Sequence, residues 1–182
     1  RIERDASGRP TGIFVDAAEG LIDRHVPPPT QAFLDRALAE SQRLLFSVGI
    51  TTAADMGTTM TDYQAMIRAI AAGESRLRIL SYLSSSDPRW TDALRRPTEW
   101  TPEDRLRIVG IKVYSDGALG SRGAWLKEDY LDAHGNHGLG FLTDAQIRQQ
   151  MEAAAANGLQ VEIVNDRHID VFGRADIYAR RS

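Results

Sequence analysis

The sequence contains no cysteine, which excludes disulfides and thiolate metal sites. The redox compartment stays open, with the cytoplasm as the default expectation. It has no run of Lys or Arg and a formal net charge of -3, so it lacks the electrostatic footprint of a protein that binds nucleic acid or an anionic membrane. No stretch approaches the ~20 consecutive apolar residues of a membrane span, and no apolar segment of a signal peptide follows Arg1-Ile2-Glu3-Arg4-Asp5. Sequence repeats and low-complexity segments are also missing. What is present is an ordinary globular balance, 42% hydrophobic and 26% charged over 182 residues, enough for one sizeable core. A small molecule is therefore the expected partner. The chain begins without Met, as a trimmed or excised segment would.

The opening reads as a β-hairpin, with Ile2 to Arg4 and Gly12 to Val15 flanking the turn Ser7-Gly8-Arg9-Pro10, followed by the stiff linker Pro27-Pro28-Pro29. From Thr30 onward one unit recurs: a polar cap opens a helix, a glycine closes it, and an apolar strand follows. Thr30 precedes a helix carrying Leu34, Leu38, Leu45 and Val48, closed at Gly49 before Ile50 to Asp55. Thr61 and Gln64 form a capping-box pattern ahead of Ile67, Ile70 and Ala71, closed at Gly73 before Leu77 to Leu83. Thr143 and Gln146 repeat the pattern ahead of Ile147, Met151 and Ala154, closed at Gly158 before Leu159 to Val164. Between the last two units lies the apolar strand Leu106 to Tyr114, with a helix expected around Trp90 to Arg95. This alternation implies parallel βα units, and both a (β/α) barrel and an open doubly wound sheet satisfy it.

Lys112 interrupts the apolar run Ile108-Val109-Gly110-Ile111-Lys112-Val113-Tyr114. Strand side chains alternate, so Val109, Ile111 and Val113 are expected on one face and Gly110, Lys112 and Tyr114 on the other. An ammonium held there is costly unless paired, neutralised or modified, which makes Lys112 a candidate Schiff-base, general-base or metal-site lysine. The structural alternative is a strand-end lysine that reaches water or a carboxylate. The segment from Ser115 to Gly123 that follows is a Gly-rich turn at a strand's carboxyl end, where barrels build active sites, and it lacks the Gly-Lys-Ser/Thr ending of a P-loop.

The string Ile111-Lys112-Val113-Tyr114-Ser115-Asp116-Gly117-Ala118-Leu119-Gly120-Ser121-Arg122-Gly123-Ala124 resembles the signature of amidohydrolase family 3. The likeness extends over roughly residues 1 to 163. Asp5 to Gly12 resembles the hairpin of the family's insertion, Gly49 to Gly57 its second barrel strand, and Gly158-Leu159-Gln160-Val161 the approach to its fifth. The resemblance implies an α/β fold, a partial (β/α) TIM-type barrel of about strands two to five. Residues 1–29 would form the hairpin and proline linker, 30–164 the barrel part, and 165–182 a tail unlike the family. It further implies a metal-dependent hydrolase of amide-like C–N bonds other than peptide bonds, using one or two divalent metals, usually zinc, to activate water. The family's strand lysine, typically carboxylated and bridging the metals, falls on Lys112. Asp116 joins it as a candidate catalytic residue, and Arg122 and Asp55 as candidates for substrate binding; Asp55 can equally cap the next helix.

Most ligands that the resemblance implies are absent from the sequence. The first-strand His-x-His would precede Arg1, and the sixth-strand His and eighth-strand Asp would follow Ser182. The fifth-strand His should follow Gln160-Val161-Glu162-Ile163, where the residue is Val164. His168 is the candidate substitute ligand, while His25, His134 and His137 read as surface residues of a linker and a turn. Two further readings stand beside the hydrolase: a non-catalytic fragment or pseudoenzyme that only associates, and a metal-independent enzyme using Lys112 as a Schiff base. Strands without their barrel neighbours are expected to associate with each other or with a missing barrel half.

Overall fold

The computed structural model describes residues 1–15, 18–94, 100, 101 and 103–164, so the expected tail, and His168 with it, lies outside the described residues. Ile2–Arg4 (β1) and Pro10–Phe14 (β2) pair antiparallel. The turn between them is built on Asp5, whose Oδ1 accepts from the backbone N–H of Ser7 at 2.9 Å and of Arg9 at 3.0 Å. This releases Pro10 from the turn, and it becomes the first residue of its strand, where a missing N–H is tolerated. A short helix, Gly20–Asp23 (α1), follows; no helical pattern in the sequence signalled it.

Four further strands, Thr52–Thr58 (β3), Arg78–Ser84 (β4), Leu106–Tyr114 (β5) and Gln160–Val164 (β6), form one sheet in the order β3-β4-β5-β6. The β3–β4 and β4–β5 pairings are parallel. Gln31–Ser47 (α2), Met60–Ala71 (α3), Trp90–Ala93 (α4) and Asp144–Ala156 (α5) lie between or before them in sequence. The chain divides into two compact units, Arg1–Pro27 with Tyr114–Thr143, and Pro28–Val113 with Asp144–Ile163. No described helix is long and apolar enough to cross a membrane.

Thr30 caps α2 as expected, its hydroxyl accepting from Phe33 N–H at 3.2 Å. At the other end Gly49 adopts φ +80, which lets Ile50 N–H return to the Leu45 carbonyl. Gln42 then ties α2 to the turn ahead of β4: its Oε1 accepts from Leu77 N–H at 2.9 Å and its Nε2 donates to the Glu74 carbonyl at 2.9 Å. Met66 and Ile70 of α3 pack with Leu77, Ile79 and Leu106, and Leu38 and Leu45 of α2 press on the same cluster. This is the helix-covered face of the sheet.

The capping box of α3 is Thr59 with Asp62, not Thr61 with Gln64. Thr59 Oγ1 accepts from Asp62 N–H at 3.1 Å, and Asp62 Oδ2 accepts from Thr59 N–H at 3.2 Å. The displacement arises because β3 runs on to Thr58 through a bulge at Gly57, φ +129, so the helix opens two residues earlier. A second bulge, where Ser81 and Tyr82 of β4 face Ile108 and Gly110 of β5, changes the alternation expected around Val109. Ile108, not Val109, is the buried residue there, while Ile111 and Val113 are fully buried as expected.

Candidate active site

Lys112 is half-buried and pairs in register with Ser84 of β4. Leu83, the neighbour of Ile111, continues the face of Ile79, so Lys112 and Ser84 lie on the opposite face, the one without the α2–α3 cluster. One layer below them on that face, Tyr82 lies beside Gly110, and its hydroxyl donates to Gln160 Oε1 at 2.5 Å. A Cβ on Gly110 would sit 2.6 Å from the Tyr82 ring and 2.7 Å from the Gln160 carbonyl oxygen. Glycine at position 110 is thus what allows the tyrosine to span β5 toward β6.

Asp55 is placed differently from expectation. It pairs with Ser81 in the register that sets Ala53 beside Ile79, which turns it to the helix-covered face. There it joins a polar chain, buried at Ser81 and Thr58, in which Ser81 Oγ donates to Thr58 Oγ1 at 2.9 Å and Thr58 Oγ1 donates to Oδ2 of the half-buried Asp55 at 2.7 Å. Asp55 therefore neither caps α3 nor shares a face with Lys112.

Asp116 and Arg122 belong to the other unit. Asp116 is buried, bridges Gly140 through its backbone, and accepts from Trp125 N–H at 3.1 Å, so its carboxylate holds the Gly-rich turn to the segment that follows. Arg122 sits at φ +55 after the 3-10 turn Leu119–Ser121, and its guanidinium meets Asp132 at 2.9 Å. Each partner favours the other's charged form: hydrogen bonding to Arg122 lowers the Asp132 pKa, and that to Asp132 raises the Arg122 pKa.

Asp87 and Arg89 are not among the residues expected from the sequence. The loop after β4, Ser85-Ser86-Asp87-Pro88-Arg89, carries a recognisable Asp-Pro turn, and the structure makes it a clamp. The Asp87 side chain is 8% exposed and takes Arg89 Nε at 2.9 Å, Arg89 Nη2 at 2.8 Å and Met60 N–H at 2.9 Å. Bonding from Arg89 holds this carboxyl well below the usual carboxylate range, with burial opposing and the Arg89 and Met60 amides adding to the shift.

The donor set does not by itself fit a metal. Among the described residues no group of three His, Cys, Asp or Glu could hold an ion. His25 Nε2 accepts from Arg24, and His137 lies 3.7 Å from Asp129. Lys112 offers one position on an open face, and among the described residues it is not joined by a group of three such ligands.

Comparison with known proteins places this geometry in context. A family model described as amidohydrolase family matches residues 1–179. The chain is 28% identical over 172 residues to YtcJ of Bacillus subtilis (strain 168), whose name gives amidohydrolase as a provisional assignment; the match covers 89% of this chain and 31% of YtcJ. It is also 28% identical over 193 residues to the protein LONG AFTER FAR-RED 3 of Arabidopsis thaliana, covering 94% of this chain and 32% of that protein. A crystal structure from Pyrococcus furiosus, described as an uncharacterized metal-dependent hydrolase, superposes with a TM-score of 0.73 at 26% identity, over 90% of this chain and 34% of that one. One from Pyrococcus horikoshii OT3 with the same description superposes with a TM-score of 0.73 at 22% identity, and shows the fold alone. The chain spans about a third of the length of each of these proteins.

Proposed function

The chain belongs to the amidohydrolase family, and from that premise we propose that it forms part of the (β/α) barrel of a metal-dependent hydrolase of amide-like C–N bonds. Lys112 is the residue we assign to its reaction centre. The observation that carries this reading is the register of β5, which puts Lys112 at the strand's carboxyl end, on the face turned away from the helix cluster. Barrel enzymes of parallel strands gather their chemistry at that end. A divalent metal, zinc by resemblance, would supply the activated water. Ligands beyond Lys112 would come from outside the described residues, so no step is assigned to a metal held by this chain alone.

Lys112 can contribute as a carbamate, whose formation calls on no other side chain. Loss of one proton from the ammonium to water frees the Nζ lone pair to attack the carbon of carbon dioxide. As the N–C bond forms, one C=O π pair moves to oxygen, a second proton passes from Nζ to water, and a carbamate replaces the ammonium as an anionic oxygen donor. On the full-length enzyme, hydrolysis of simple amides and N-substituted formamides would be followed by amine release. Lys112→Ala should lower turnover by about a hundredfold or more, and a carbamate carbon should appear by 13C NMR under labelled bicarbonate. Turnover that survives this substitution sinks the assignment. Borohydride trapping of a carbonyl substrate on Lys112 would replace it with Schiff-base chemistry.

For the chain by itself we infer weak zinc binding, below one equivalent, read by elemental analysis after dialysis. We also infer association through β3, which ends the described strand order, and the exposed Phe33 and Leu44 of α2. Light scattering that reports a monomer at micromolar concentration would refute the second inference.

A further inference from the structure

A cleft of about 600 Å³ lies at the carboxyl ends of β3 and β4. Pro28, Pro29 and Pro88 give it rigid apolar lining, and Thr61, Ser86 and Arg89 its polar lining. Ser84, the strand neighbour of Lys112, borders it as well, so the cleft reaches the strand position beside the proposed reaction centre.

The charges around the cleft restrict what it can hold. Its ionisable residues are Asp62, Asp87 and Arg89. Both carboxylates are already engaged, Asp87 by Arg89 and Met60 N–H, and Asp62 by the backbone and hydroxyl of Thr59. Their formal sum with Arg89 is negative, which opposes an anionic ligand, while a cation would find no free carboxylate. Arg89 is fixed from two sides, because Nη2 donates to Thr61 Oγ1 at 2.9 Å while Nε and Nη2 grip Asp87. Its side chain remains 51% exposed, and its Nη1 hydrogens have no acceptor among the described residues. An oriented, charge-neutralised donor edge flanked by proline rings suits a neutral oxygen acceptor on an apolar frame.

We propose that this cleft binds the portion of an uncharged substrate remote from the scissile bond, with a carbonyl or ether oxygen on Arg89 Nη1 and an aromatic or alkyl group against the three prolines. The assignment rests on the hydrolase reading only in calling the ligand a substrate; the binding itself stands separately.

The test is a titration of the 15N-labelled chain with three matched probes, neutral benzamide, anionic benzoate and cationic benzylamine, following the Arg89 Nε–H and the Thr61 and Ser86 amide resonances. Benzamide should shift these signals saturably, with benzoate and benzylamine each at least about fivefold weaker. Arg89→Met, which keeps the stem and removes the donors, should weaken benzamide about tenfold. If that variant misfolds, Ser86→Trp decides the matter, since it puts a bulky ring at a cleft-lining position and leaves Asp87 and Arg89 themselves unaltered, and should weaken benzamide comparably. Benzoate binding as tightly as benzamide, shifts located elsewhere, or a Ser86→Trp chain that binds benzamide normally would each overturn the proposal. Lys112→Ala should leave benzamide binding unchanged, so loss of hydrolysis and loss of cleft binding are separate outcomes.

Discussion

The two faces of the four-stranded sheet differ more than their sequences suggest. On one, Ile79, Leu83, Leu106, Ile111 and Val113 are each at most 3% exposed. On the other, Leu80, Tyr82 and Lys112 are half-buried, and Tyr114 is exposed. Both faces contain apolar side chains, so hydrophobicity alone does not tell them apart. What separates them is the α2–α3 cluster, which completes one core and leaves the other face with room for a lysine, a serine and a tyrosine-to-glutamine bridge. A face fully committed to packing cannot also present a reactive amine, and this sheet divides the two tasks by strand parity.

Substitutions can break that comparison at graded strength. Leu83→Ala, in the filled face, should cost about 3 kcal/mol, whereas Leu80→Ala, on the open face, should cost about 1 kcal/mol; urea denaturation giving equal losses would show both faces to be equally packed. Gly110→Ala comes next at about 2 kcal/mol, because the added methyl meets both the Tyr82 ring and the Gln160 backbone. Tyr82→Ala should relieve that penalty only in part, since the backbone contact stays, and complete relief in a double-mutant cycle would contradict the geometry.

Asp87→Asn should cost about 1–2 kcal/mol at neutral pH through the loss of charge-assisted hydrogen bonds. Its pH dependence has a definite sign. The folded pKa is depressed, so the stabilisation is fully present above the unfolded carboxyl value of about 4 and is lost as pH falls through the lower folded value. The variant should therefore lose less stability than the parent on acidification below about pH 4, followed by circular dichroism; parallel acid limbs would refute the clamp. The smallest effect is expected at Lys112→Met, within about 0.5 kcal/mol. A loss several times larger would mean that Lys112 holds the fold.

Most of the organisation was legible locally. The Thr30 cap, the stop at Gly49, the strand Leu106 to Tyr114 and the separation of Lys112 from Ile111 and Val113 all follow from capping chemistry and a period of two. The misplaced capping box has the opposite origin. Thr59 and Thr61 are chemically equivalent caps, and only the bulge at Gly57, which extends β3 to Thr58, selects the first. Asp55 illustrates the same limit. Its position near the end of a strand was evident, but the face it uses depends on its register with Ser81 and on a hydroxyl chain through Thr58.

The sequence by itself determined the alternation of helices and strands, the family signature from Ile111 to Ala124, and the position of the one lysine set in an apolar strand. These depend on side-chain chemistry and on spacing along the backbone. The tertiary structure alone decided that Asp55 leaves the face of Lys112, that Tyr82 crosses Gly110 to reach Gln160, and that Asp87 and Arg89 join α3 to the loop after β4. Each of those arrangements unites residues from separate elements, at distances fixed by strand register and helix packing, which no local pattern encodes.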